Sequence, residues 1–409
     1  MNVLLTVALT IATALAQPGP SFSVEQEFTA GHLLKHHRNA SFTSPGIRAR
    51  SLPPKRLAWV TPWNPAGYDR TLRHPRAFTH VAPCWFEAKL ANKQEPGGPL
   101  KLAVFGAGQV NASWAEGLKA LTNGDTKILP RLTLPIESWG KQGSRLLTDA
   151  ASSVAAAQVI ADALSGGPAG AERKFSSFVD GIALEWGHMP LTGQKRQAGV
   201  RRFLTDLRQQ LADALEVDDV TVLLVTPPDP KRAGGKQIAT LEPAVDLFAV
   251  MTYDYNAASE RPKENAPMLW VADIMNGLAR DAPRARSKLL VGLNLYGYRF
   301  SATPGPPTAA TGADIVRILG SVRQRAKVSD PSLTTRQLRE RPGLSWGTEA
   351  KEHSFEHYIP KKGVEWVFMP SVAALLHRTQ FAAENGFGVS LWELGQGLEY
   401  FTPIFNPAS

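Results

Sequence analysis

Short apolar runs recur from residue 57 onward, at 57–60, 78–82, 127–132, 178–186, 220–226, 245–253, 288–295 and 388–392. They are bounded by turn-forming residues and carry few charges, the pattern of strands buried on both faces. Between them, apolar positions return at three- and four-residue spacing over 150–164, 199–215, 270–279, 313–325 and 371–385, with Gly386 placed to cap the last of these helices. Strands that alternate with helices build βα units and a parallel sheet. Eight such strands predict an α/β fold closed into a (β/α)8 TIM barrel over residues 57–405. Alternating patterns at 355–358 and 364–368 predict a hairpin within an insertion between strands seven and eight.

Upstream of the barrel the pattern changes. Residues 1–16 are apolar and end in Ala14-Leu15-Ala16 before Gln17-Pro18, which reads as a secretory signal peptide. Residues 17–56 carry Pro, Ser, Arg and His clusters without sustained periodicity and read as a surface extension or propeptide. Asn39-Ala40-Ser41 and Asn111-Ala112-Ser113 fit the glycosylation pattern. Together these predict a secreted protein, or a lysosomal one reached by the secretory route, with no membrane span in the mature chain.

Composition narrows the class. With 43% hydrophobic and 20% charged residues, 34 Gly and 31 Pro, the 409-residue chain is neither coiled coil, collagen nor wholly disordered. Its single cysteine, Cys84, allows no intramolecular disulfide, and its apolar setting reads as a buried small hydrophobe. A net charge of +9 favours an acidic partner, but the basic residues are scattered and no nucleic-acid motif accompanies them. Neither a Gly-x-Gly-x-x-Gly loop nor a Walker motif follows an early strand, and no Cys-paired metal spacing is present, so no cofactor and no metal are expected.

In a barrel of this kind chemistry collects at the C-terminal ends of the strands. Those ends are crowded with aromatics and carboxylates: Trp63 after strand one, Trp85 after strand two, Glu185 and Trp186 at strand four, Tyr253 and Asp254 at strand six, Tyr296 at strand seven, and Trp392 and Glu393 at strand eight. Trp and Tyr faces with polar groups between them suit sugars, whose C–H faces are apolar and whose hydroxyls need hydrogen-bond partners. These nine residues are the candidate carbohydrate site.

The segment Phe178-Val179-Asp180-Gly181-Ile182-Ala183-Leu184-Glu185-Trp186-Gly187 resembles the Asp-Gly-x-Asp-x-Asp-x-Glu signature of family 18 glycoside hydrolases, the chitinases and chitinase-like lectins. Met251-Thr252-Tyr253-Asp254 is similar to that family's strand-six motif, and Trp392 to the tryptophan that floors its sugar cleft. The resemblance implies a barrel that binds chitooligosaccharides and, in active members, cleaves them with the motif's last Glu as general acid. Here that position is Gly187, the second Asp is Ala183, the third is Glu185, and only Asp180 is retained. Glycine has no proton to donate. By period two, Glu185 faces the barrel interior with Ala183 and Gly187, but it lies about 6.6 Å below the acid's place at ~3.3 Å per residue. It is therefore expected to be a satisfied polar group, hydrogen-bonded to Tyr253 or Asp254, rather than an acid. The resemblance thus implies a non-catalytic lectin for chitooligosaccharides or related microbial glycans. It also points to innate immune sensing, with lipopolysaccharide as a further anionic ligand and a scavenger-type receptor as the candidate protein partner. The alternative is a weak glycoside hydrolase that uses displaced carboxylates such as Asp254 and Glu393.

Overall fold

The computed structural model describes residues 29–38, 51–168, 174–186, 193–334, 337 and 341–407. Residues 1–16, read above as a signal peptide, Asn39 and Gly187 lie outside the described residues.

Sixteen strands are present among them: β1 Arg56–Val60, β2 His80–Pro83, β3 Phe86–Leu90, β4 Leu102–Phe105, β5 Lys127–Ile128, β6 Arg131–Thr133, β7 Gly181–Glu185, β8 Thr221–Thr226, β9 Leu247–Val250, β10 Leu289–Asn294, β11 Gly297–Phe300, β12 Thr308–Ala310, β13 Ser345–Gly347, β14 Glu352–Ile359, β15 Gly363–Met369 and β16 Gly388–Trp392. All eight predicted barrel strands form. The second and third are each split in two. Pro130 has no N–H to give a ladder, and it separates β5 from β6. β5 pairs with β2 while β6 pairs with β3 and β7, all in parallel. Backbone bonds from Leu129 to Val81 (2.9 Å), Asp180 to Ile128 (3.0 Å) and Ala183 to Pro130 (3.0 Å) carry the ring across the break. From β7 the order runs through β8, β9, β10, β16 and β1 to β2, so the sheet is a (β/α)8 barrel.

Side chains alternate along each strand, and that alternation divides the core into two layers. Leu57, Trp59, Ala82, Cys84, Leu129, Ala183, Leu223, Val225, Leu247, Ala249 and Leu290 fill the barrel interior. Their neighbours, among them Ala58, Val60, Val81, Ile182, Leu184 and Leu224, join the larger core between sheet and helices. The predicted helices appear as Ala150–Ser165, Gln194–Leu215, Met268–Asp281, Gly312–Ser329 and Val372–Glu384. Asp149 caps the first, accepting from Ala151 and Ser152, Thr311 and Asp314 form a capping box on the fourth, and Ser371 caps the fifth.

Between β10 and β16 the chain builds a second, antiparallel sheet in the order β12-β11-β15-β14-β13. Its hairpin aligns Phe355 with Val367 and Tyr358 with Val364. One region differs from its expectation. Within 17–56, Ala30–His36 is a helix whose Ala30 and Leu33 are buried in the main core, packed beside Gly312–Ser329. Seven residues give a single apolar turn, too short for periodicity to register.

Candidate functional site

The C-terminal rim of the barrel holds three adjoining depressions. The middle one, about 200 Å³, is lined by Trp59, Arg131, Glu185, Tyr253, Asp254 and Trp392, among others. The second, about 560 Å³, shares Arg131 and adds Trp63, Cys84, Glu87 and Gln109. The third, about 380 Å³, shares Asp254 and Trp392 and adds Tyr296, Tyr298 and Gln396. The shared residues join the three depressions into one groove across the barrel mouth.

Trp392 ends β16 and lines both the middle and third depressions. Its ring lies 5.8 Å from that of Trp59, tilted by 59°, and Trp59 is fixed by an Nε1–H bond to Ser390 Oγ (2.8 Å). Over the Trp392 ring, at 6.0 Å, stands the Arg131 guanidinium. Glu185 faces the interior as its parity requires, but its partner is not Tyr253 or Asp254. Arg131 Nη1 donates to Glu185 Oε2 at 2.7 Å. Arg131 occupies the register position opposite Ala183 on the neighbouring strand, so a cation stands beside the place where the family motif has a carboxylate. The signal for it was available, because Leu129 faces inward and Arg131 follows it by two.

Asp254 adopts a left-handed backbone (φ 63°) that turns its carboxylate toward β11. Its Oδ1 accepts hydrogen bonds from the hydroxyls of Tyr296 and Tyr298, the latter at 2.5 Å. Burial, and then the Asp254 charge, push both phenols well above their usual range, so both remain donors. Tyr253, also held protonated by burial and the nearby Asp254, lines the middle depression with its ring edge-on to Tyr296 at 6.4 Å. Tyr298 escaped the sequence reading although it alternates with Tyr296 into the insertion.

Trp63 is 61% exposed on the turn after β1, where Thr61 and Asn64 form a bridge, and it offers a free ring to the second depression. Three other expectations are corrected. Trp85 and Trp186 are each 3% exposed and point outward, since Cys84 and Glu185 take the inward positions beside them. Trp85 Nε1 donates to Tyr68 Oη (2.8 Å) and packs edge-on against Trp114, while Trp186 packs on Phe203. Trp186 lines none of the three depressions, whereas Trp85 borders the second with the little surface it exposes, its ring held in the outer core. Glu393 is 1% exposed, turned inward by a left-handed backbone (φ 53°), with Oε2 accepting from Asn64 Nδ2 at 3.4 Å. Asn64 in turn packs on Gly395, where a Cβ would meet it at 2.6 Å.

Two other motif positions, Asp180 and Ala183, lie away from the groove. Asp180 lies at the other end of β7, ion-paired with Lys119 (2.6 Å) and accepting from the Ile128 N–H (2.6 Å). Ala183 is part of the interior packing. Asn111 is exposed and caps the helix Ala112–Leu121 through its Oδ1. Burial pushes the Cys84 thiol up to about 12, which keeps it a thiol. Two His-x-x-x-His spacings do exist, His32/His36 and His353/His357, yet no group of three His, Cys, Asp or Glu able to hold a metal is found among the described residues. No helix among them is long and apolar enough to cross a membrane.

The family model for glycosyl hydrolases family 18 matches residues 130–397, more than half of the chain. Solved structures agree on the fold. The spore cortex-lytic enzyme SleL of Bacillus cereus superposes with a TM-score of 0.62 at 16% identity, over 87% of this chain and 74% of that one. A chitinase from Chromobacterium violaceum gives 0.57 at 14%, over 86% and 98%. A class V chitinase from Pseudomonas fluorescens gives 0.57 at 17%, over 86% and 98%. The chain belongs to the glycosyl hydrolases family 18.

Proposed function

We propose that this protein is a glycan-binding member of its family that does not hydrolyse its ligand. It takes N-acetylglucosamine oligomers, or related microbial glycans, along the groove from Trp63 past Trp392 to Tyr298. The observation that carries the reading is the Arg131–Glu185 ion pair beside Ala183. Where cleavage in the family needs a supported acid, this chain has Gly187 and Ala183, and its one remaining motif carboxylate in the mouth, Glu185, is bound to a guanidinium. A general acid must reach the glycosidic oxygen, and the Glu185 carboxylate is instead turned to the Arg131 guanidinium, two residues below the acid's place in the motif. The solved structures' chitinase and cortex-lytic activities support a glycan ligand for the shared groove.

The finer identity belongs to the same proposal. Val60-Thr61-Pro62-Trp63-Asn64, Asn265-Ala266-Pro267, Gly292-Leu293-Asn294-Leu295-Tyr296-Gly297 and Trp392-Glu393-Leu394-Gly395-Gln396-Gly397-Leu398 resemble chitinase domain-containing protein 1, a stabilin-1-interacting chitinase-like protein. That likeness supports pathogen sensing, lipopolysaccharide as a second ligand and a scavenger-type receptor as partner. The leader at 1–16, Asn39 and the exposed Asn111 support secretion or delivery to lysosomes with glycosylation.

A second reading, weak hydrolysis by a displaced carboxylate, rests on Asp254, whose Oδ2 has no partner among the described residues and which stands between two depressions. Incubation with chitotetraose, followed by reducing-end analysis, separates the two. The lectin reading expects unchanged oligosaccharide, whereas turnover abolished by Asp254→Asn establishes the second.

A further inference from the structure

The inserted sheet reaches the groove by two routes. The first is direct, through the Tyr298 hydroxyl on Asp254. The second runs through buried backbone. Glu352, the first residue of β14, is 4% exposed, and its two carboxylate oxygens accept the N–H groups of Asn265 (3.0 Å) and Ala266 (2.7 Å). Its charge is met by Arg378 of the helix Val372–Glu384 at 3.1 Å. Arg378 also donates to the carbonyls of Ala266, Lys351 and Ala374, so the helix, the sheet and the 265–266 backbone are tied at one point.

Asn265, 1% exposed, passes this constraint on. Its Oδ1 accepts the Asp254 N–H and its carbonyl accepts the Tyr255 N–H, both at 2.9 Å. Asp254 is thereby held at φ 63°, a left-handed conformation that a non-glycine residue keeps only when neighbours over-determine it. The tyrosine hydroxyls fix the carboxylate, and Asn265 fixes the amide.

We propose that Glu352 and Asn265 are positioning residues for the glycan site: they lock Asp254 in its left-handed conformation, so that its carboxylate divides the middle depression from the third and presents one oxygen to a sugar. The inserted sheet is then part of the binding machinery rather than an appendage. The ligand side of this inference rests on the proposed function; the conformational side does not.

Two measurements test it. The first is a double-mutant cycle on chitotetraose binding by calorimetry with Asn265→Ala, Asp254→Ala and the pair. Asn265→Ala is expected to weaken binding roughly tenfold. If Asn265 acts through Asp254, the double variant binds no more weakly than Asp254→Ala alone, within about twofold. Additive losses, or full affinity in Asn265→Ala, overturn the proposal, since a merely structural role predicts one or the other. The second is amide hydrogen exchange without ligand. The 254 and 255 amides are expected to be protected in the wild type and to exchange at least ten times faster in both Asn265→Ala and Glu352→Gln. Unchanged protection in Asn265→Ala overturns the positioning role whatever Glu352→Gln does to the fold. Should the wild type bind no chitotetraose, the proposed function falls, and the exchange result still decides the positioning role.

Discussion

Removing the Trp392 side chain separates a binding role from a packing role, because the structure gives the ring a share in both. It lines two depressions of the groove, yet it also packs against Trp59 and the barrel interior. A sugar ring stacked on it covers roughly 80 Å² of apolar surface, which at ~25 cal/mol per Å² comes to about 2 kcal/mol. Trp392→Ala is therefore expected to weaken chitotetraose binding about thirtyfold. The stability cost is smaller than for a core tryptophan, whose loss costs ~3–5 kcal/mol, because Trp392 is only half-buried. With an unfolding entropy of ~2.1 cal/mol/K per residue, a loss of about 2 kcal/mol lowers the melting temperature by only about 2–3 °C in a chain of this size. Calorimetric titration and thermal melts on the same preparation read both quantities. A variant that melts several degrees lower still, but keeps full affinity per folded molecule, would remove Trp392 from the site and with it the floor of the groove.

A tryptophan of the outer core predicts the opposite pattern. Trp85→Ala, losing a buried ring and its bond to Tyr68, should cost ~3–5 kcal/mol of stability in denaturant unfolding and leave chitotetraose affinity per folded molecule unchanged. Gly187→Glu alone should yield no rapid release of reducing ends from chitotetraose, since Ala183 supplies no supporting carboxylate and Arg131 stands beside it; fast turnover by the single variant contradicts this. Burial lowers His80, His353 and His377 to about 4, so the folded protein keeps them neutral while the unfolded chain protonates them below about 6.5. The stability they confer is complete above about 6.5 and is lost as the pH falls toward 4, at up to ~1.4 kcal/mol per pH unit for the fully buried His353. The melting temperature should fall between pH 7.5 and 5, and His353→Gln should flatten that fall; an unchanged melting temperature across the range refutes the assignment.

What was legible in the sequence was what depends on short-range pattern. The eight barrel strands carry apolar residues on both faces, and their helices repeat at three- and four-residue spacing, so each declared itself within its own segment. Parity also fixed which way Glu185 points. The same parity, applied one residue further, places Trp85 and Trp186 outside the barrel; an aromatic at a strand end is a sugar platform only if it falls on the inward count. Arg131 lies in the predicted strand 127–132, two residues after the inward Leu129, so the same parity places it in the barrel mouth. Glu393 could not be placed because its burial depends on Asn64, 329 residues away. The Glu352–Asn265–Asp254 chain likewise joins segments far apart in sequence, and only the folded insertion brings them together.

Binding without cleavage is tested most directly by titrating the purified protein with chitotetraose in a calorimeter and analysing the same cell contents for shorter oligosaccharides after prolonged incubation. The expected result is saturable one-to-one binding, abolished by combining Trp392→Ala with Asp254→Ala, with the tetraose recovered intact. Recovery of chitobiose and other fragments, or heats no larger than dilution across the titration, would contradict it.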